Sequence, residues 1–188
     1  SIRPFHQEDA ETRVIRGQYA AGEVDSGTAP GYRDEEGVSA GSTVETFVAA
    51  KICLDNWRWQ GVPMYLRAGK RLAKKTSRIG VQFKSVPHSM FKPLEPSDLS
   101  PNVLMFNVQP EEGILLGIQA KRPGPKLCMD TLHMHFHYQD VITGQLPDAY
   151  ERLLLDCMLG DQTLFIRHDD MEVSWSLITP LLREWGKP

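Results

Sequence analysis

The chain has 188 residues, 21 Lys and Arg against 24 Asp and Glu, a formal net charge of -3 and 41% apolar residues. That is enough for one well-cored domain, and the slightly acidic balance excludes a broad nucleic-acid or membrane-surface footprint. Cys53, Cys128 and Cys157 are widely separated with no C-x-x-C spacing, which favours reduced thiols in a cytoplasmic protein over a disulfide framework.

No leading apolar segment resembles a signal peptide, no run reaches the length of a membrane span, and no repeat is visible. From Ser1 through residue 12 the chain is polar, carries Pro4 and reads as a connecting segment. Val14 to Tyr19 suits a strand. Ala20 to Ala40, rich in Gly, Ala, Asp and Glu, lacks the apolar area for a core and reads as a long surface loop pinned by Tyr32.

Gly41 to Lys75 carries the strongest signals. Ser42 and Glu45 have capping-box spacing, and Val44, Phe47, Val48, Ile52 and Leu54 form an apolar stripe, so the pattern predicts a helix stopped by Gly61 and Pro63. Val62, Met64 and Leu66 then alternate as a strand with one buried face. Ala68-Gly69 permits a tight turn, and Lys70, Arg71, Lys74 and Lys75 follow at the strand end. Such a cluster suits a small anion, with Lys70 and Lys75 as anchors; from spacing alone a solvated turn stands beside that reading.

Further on, Ile79, Val81 and Phe83 alternate as a strand, and the four prolines from Pro87 to Pro101 demand a loop. Val103 to Gln109 and Ile114 to Ala120 read as an antiparallel hairpin around Glu111-Glu112-Gly113, followed by a basic turn, Lys121 to Lys126. Leu132, Met134, Phe136 and Tyr138 alternate with His133, His135 and His137. Three histidines on one strand face raise a metal site, but a strand holds them too straight for three-fold coordination, and a polar face meeting a second subunit accounts for them. Asp148 and Glu151 cap a helix whose buried stripe is Tyr150, Leu153, Leu154, Cys157 and Met158; Cys53 is also assigned to the core. Thr163 to Arg167 suits a short strand. Asp169 and Glu172 cap a last helix that Pro180 should kink. The sum is α+β: a large, mostly antiparallel sheet with helices on one face.

Three blocks in order, GYRDEEGVSAGSTVETFVAAKICLDNWRWQGVPMYLRAGKRLAKK, VQP at Val108 to Pro110 and LPDAYERLLLD at Leu146 to Asp156, resemble the C-terminal domain of glucose-6-phosphate dehydrogenase. The resemblance covers nearly the whole chain, Arg16 to Trp185. It implies a single domain spanning 1–188 that supplies part of a glucose 6-phosphate site and a subunit interface on its sheet face. In that family the lysine of the R-x-G-K loop, the basic residue five positions on and the glutamine of V-Q-P lie at the substrate, which implicates Lys70, Lys75 and Gln109.

The resemblance equally implies what lies elsewhere. Neither a Gly-rich dinucleotide fingerprint nor the family's R-I-D-H-Y-L-G-K-E block is present, and His6, His88 and His168 sit in segments unlike its catalytic-histidine motif. The chain is therefore expected to contain no catalytic residue and no metal ligand, and to be inactive alone. NADP is expected to bind mainly to the protein's own preceding Rossmann domain, and a homo-oligomer is expected to form through the sheet face. Some members hold a second, structural NADP in this domain; Thr76, Gly80, Asn107, Leu115 and Gly117 at the matching places supply neither cation nor aromatic ring, so no tight site is expected although Arg67 matches one contact. A non-catalytic sugar-phosphate-binding or assembly module of the same fold is the alternative.

Overall fold

The computed structural model describes residues 2–6, 8–24, 27–86, 99–125, 128–141 and 149–186. The chain divides into one unit of residues 1–74 and 149–188 and a second of residues 75–148. The proline-rich stretch 87–98, Lys126, Leu146 and the capping Asp148 lie outside the described residues.

In the first unit the polar opening carries a short helix, α1 (Asp9–Thr12), and leads into β1 (Val14–Gly17). Its connector-like composition conceals three anchors. Phe5 is buried, and Arg3 holds Asp55 at 2.7 Å while Ile2 bridges to Leu54. The supposed structureless loop contains a small antiparallel hairpin, β2 (Gly22–Val24) with β3 (Gly27–Ala29), and a single helical turn at Tyr32–Asp34.

The run after Gly41 does not form the expected helix. Phe47–Ile52 is a strand, β4, lying between β1 and β5 (Met64–Gly69), antiparallel to both. Its short apolar run, Phe47 to Ala50, satisfies both the helical and the buried-strand pattern, and hydrogen bonding on both edges decides for the strand. Ser42 and Glu45 serve other ends: Ser42 gives its carbonyl to Gln18 and Glu45 lies 3.9 Å from Arg16. The chain reverses between β4 and β5 through Asn56, whose Oδ1 accepts the Trp59 N–H at 2.9 Å, and through Gly61 at φ +77°.

Two helices complete this unit, α2 (Ala149–Leu159) and α3 (His168–Trp185). Leu181 of α3 joins Phe5 and Val14 as the core, with Val48, Ala50, Ile52 and Trp185 packed around it. Arg13 over Phe5 and Arg16 over Trp185, at 4.9 and 5.2 Å, roof that core with cations. Asp169 and Glu172 do not cap α3, because Arg167 takes the first carboxylate and His168 lies 3.2 Å from the second. Pro180 sits inside α3. Thr163 to Arg167 is no strand: the Asp161 carboxylate accepts both the Thr163 N–H and hydroxyl and holds a turn.

The α2 stripe is also not buried as expected. Tyr150, Leu154 and Met158 are 77%, 66% and 84% exposed, and Cys157 is exposed while Cys53 is half-buried. The helical period was legible, but it reports an apolar face and not what covers it.

The second unit is a four-stranded antiparallel meander of β6 (Ser77–Gln82), β7 (Val103–Gln109), β8 (Gly113–Lys121) and β9 (Met129–His137), in that order. Alternation sorts its faces. Along one face run the apolar rows Ile79, Phe106, Ile114, Phe136 and Val81, Leu104, Leu116, Met134. On the other, His133, His135 and His137 stand opposite Gly117, Leu115 and Gly113, with ring centroids 6.2 Å apart. Antiparallel sheets with a few helices confirm the α+β class. Among the described residues the strands are shared between three sheets.

Candidate functional site

The basic turn is built from the end of β5. Gly69 pairs with Phe47, and a Cβ placed there would lie 2.9 Å from the Phe47 ring and 3.3 Å from Leu72. Only a residue without a side chain lets the strand fold back so closely. The Lys70 N–H then donates to the Thr46 carbonyl at 2.8 Å, so the turn stays tied to the entry of β4.

Arg71 next adopts φ 50°, the left-handed region that L side chains other than Asn and Asp rarely enter. Its Nη2 donates to Glu35 Oε1 at 2.6 Å, and its guanidinium lies 5.6 Å from the Tyr19 ring centre. The Tyr19 hydroxyl donates to the same Glu35 oxygen at 3.0 Å. Tyr19 is itself held, donating its N–H to Thr46 Oγ1 and accepting the Tyr32 N–H at 3.0 Å, with the two tyrosine rings edge to face. Hydrogen bonds from Tyr19 first and Arg71 second hold the Glu35 carboxyl below its usual range, against a smaller opposing effect of desolvation. Arg71 is raised above the ordinary guanidinium value by Tyr19 and Glu35.

The four cations of the sequence cluster thus divide. Arg71 is engaged by Glu35, whereas Lys70, Lys74 and Lys75 are exposed. The boundary between the two units falls between Lys74 and Lys75, so Lys70 belongs to the first and Lys75 to the second. In the second unit Gln109, at the end of β7, pairs with Ser77 at the start of β6. Its Nε2 donates to Ser77 Oγ at 3.0 Å, and its carbonyl accepts the Thr76 hydroxyl at 3.2 Å. Gln109 is therefore bound to the two residues that immediately follow Lys75, although 34 positions separate the two in sequence, by subtraction of their numbers.

The pinning of the glycine-rich segment by Tyr32 holds, but the residue that uses it, Tyr19, and its carboxylate partner Glu35 were not singled out from sequence. An arginine between two candidate anchors was the available signal, read there only as one of four cations in a cluster suited to a small anion.

Other features fit an anion less well. An open depression of about 650 Å³ is lined by His6, Glu8, Glu11 and Glu184, whose carboxylates would repel a phosphate. Among the described residues no three His, Cys, Asp or Glu side chains are grouped to hold a metal ion, and no helix is long and apolar enough to cross a membrane.

With this geometry in place, the comparisons with known proteins are specific. The family described as glucose-6-phosphate dehydrogenase, C-terminal domain, matches residues 1–188. The glucose-6-phosphate 1-dehydrogenase of Chlamydia muridarum is 45% identical over 190 residues, covering 99% of this chain and 36% of that protein. Its counterpart from Chlamydia trachomatis serovar D is 44% identical, covering 99% of this chain and 42% of that one. Among solved structures, a glucose-6-phosphate dehydrogenase in complex with its substrate glucose-6-phosphate is 36% identical with a TM-score of 0.85, over 100% of this chain and 37% of the other. The chain thus spans well under half the length of the relatives it matches.

Proposed function

Because the chain belongs to the glucose-6-phosphate dehydrogenase C-terminal domain family, we propose that residues 1–188 act as the substrate-binding and assembly part of such an enzyme. The complete protein oxidises D-glucose 6-phosphate to 6-phospho-D-glucono-1,5-lactone: hydride leaves C1 for NADP while a base takes the proton of the C1 hydroxyl. Both base and nucleotide site lie in a Rossmann domain preceding this one. Lys70 and Lys75 hold the sugar phosphate by charge-assisted hydrogen bonds, and Gln109 contacts the same ligand. The observation that carries this reading is the likeness, at TM-score 0.85 over the whole chain, to a solved enzyme that holds glucose 6-phosphate.

Two exposed apolar surfaces support the assembly role. One is the α2 stripe of Leu154, Leu155 and Met158; the other is the second unit's sheet, where Ile79, Leu132 and Met134 are exposed. The preceding domain and a second copy are the proposed covers. The reduced cysteines favour the cytoplasm.

The test is an assay of the purified chain with glucose 6-phosphate and NADP. No NADPH should form from the chain alone, and turnover should require the polypeptide that includes the preceding domain. Measurable NADPH production by the chain alone would overturn the proposal.

A further inference from the structure

Arg71 combines two features that rarely occur together at an ordinary surface turn. Its backbone takes a left-handed conformation without being glycine, and its side chain runs back to a carboxylate 36 residues earlier in the chain. A strained residue persists only where surrounding interactions over-determine it, and such residues gather at ligand sites. Here those interactions are the Glu35 bridge, the Tyr19 ring beneath the guanidinium and the Tyr19 hydroxyl on the same Glu35 oxygen. Tyr19 and Lys70 are in turn both bonded to Thr46, one through its hydroxyl and one through its carbonyl. Lys70 is thus tied to Thr46 through its own N–H and is followed directly by Arg71, whose side chain is tied to Glu35.

We propose that Arg71 is a positioning residue, clamped by Glu35 and Tyr19 so that the preceding Lys70 ammonium is held where it meets the phosphate of the sugar substrate. This rests on the reading of Lys70 as a substrate-phosphate ligand. In the proposed arrangement Arg71 acts through Lys70 rather than on the ligand, its Nη2 being engaged by Glu35. A flexible lysine on an unclamped turn would have to be ordered at each binding event, so losing the clamp weakens binding while leaving the chemical step intact.

The experiment is steady-state kinetics of the complete enzyme for glucose 6-phosphate, with four variants and their thermal melting. Lys70→Ala tests the underlying reading: an unchanged KM would sink that reading, and with it the reason for a clamp. Given a raised KM there, Glu35→Gln and Arg71→Gly should each raise KM about tenfold with kcat within about twofold, as expected for lost ligand positioning. Arg71→Gly relieves the backbone strain, so a merely conformational role predicts no change in KM. Arg71→Lys, which keeps a cation for Glu35, should recover part of the loss. An unchanged KM in Glu35→Gln overturns the proposal, and so does a lowered one, which would mean that the released Arg71 binds the phosphate directly. If Glu35→Gln fails to fold, the Arg71→Gly and Arg71→Lys pair decides: equal KM values at the unaltered level refute the clamp.

Discussion

At Gly69 a missing side chain determines where a charge can be placed. Giving that position a Cβ drives it into the Phe47 ring at 2.9 Å, within β4 rather than at a flexible tip. Gly69→Ala should therefore destabilise the chain by about 1–3 kcal/mol, the usual range for overpacking, read as a lower midpoint in urea with an unchanged slope. Glu35 carries a pH signature. Its pKa is depressed below the ordinary 4.5 by Tyr19 and Arg71, so its contribution is fully present above pH 4.5 and is lost as pH falls through the lower folded value. Thermal melts of Glu35→Gln should lose part of the steep acid limb below pH 4.5 and keep the same slope near neutrality. An unaltered acid limb would show that the carboxylate is not held in solution. Lys70, Lys75 and Gln109 are singled out by short contiguous motifs that carry the family resemblance. The contacts of Arg71 had no such signal, since Tyr19 and Glu35 stand far away in the chain and only folding brings them together.

Among elements, α3 has the clearest structural duty. Leu181, 3% exposed, closes the core with Phe5 and Val14, so Leu181→Ala should cost about 2–5 kcal/mol, measurable by urea unfolding; a loss below about 1 kcal/mol would mean that this core does not form in solution. The same scale shows where pattern reading ran out. In β6 and β9 alternation placed the strands, and in β7 and β8, whose runs Val103 to Phe106 and Ile114 to Leu116 are apolar without alternation, the Glu111-Glu112-Gly113 turn between them placed the hairpin. β4 was misread as helix because Phe47 to Ala50 is apolar without alternation, and the hydrogen-bonding partners that resolve it, β1 and β5, are distant in sequence. For α2 the helix was recovered but its burial was not: an amphipathic period carries no information on whether the partner surface belongs to this chain.

Over the whole molecule, the few buried apolar side chains among the described residues, Phe5, Val14, Ala29 and Leu181, contrast with the broad exposed apolar faces of α2 and of the second unit. A domain of this length ordinarily buries more, and the relatives, of which this chain covers 36% and 42%, have the additional length to cover such faces. The α+β class and the antiparallel pairing of the second unit were legible from the sequence because each rests on local patterns. The division into residues 1–74 with 149–188 and residues 75–148 was not, since it depends on which distant segments pack together.

Lys70 and Lys75 are proposed to recognise the phosphate of a hexose phosphate. That recognition is read from the ratio of kcat/KM for glucose 6-phosphate to that for unphosphorylated glucose, measured on the complete enzyme and on its Lys70→Ala/Lys75→Ala form. Loss of two charge-assisted phosphate contacts should reduce that ratio by about 100-fold or more, almost wholly through the phosphorylated sugar. A ratio unchanged by the double replacement, with both sugars affected alike or neither affected, would contradict phosphate recognition at this turn.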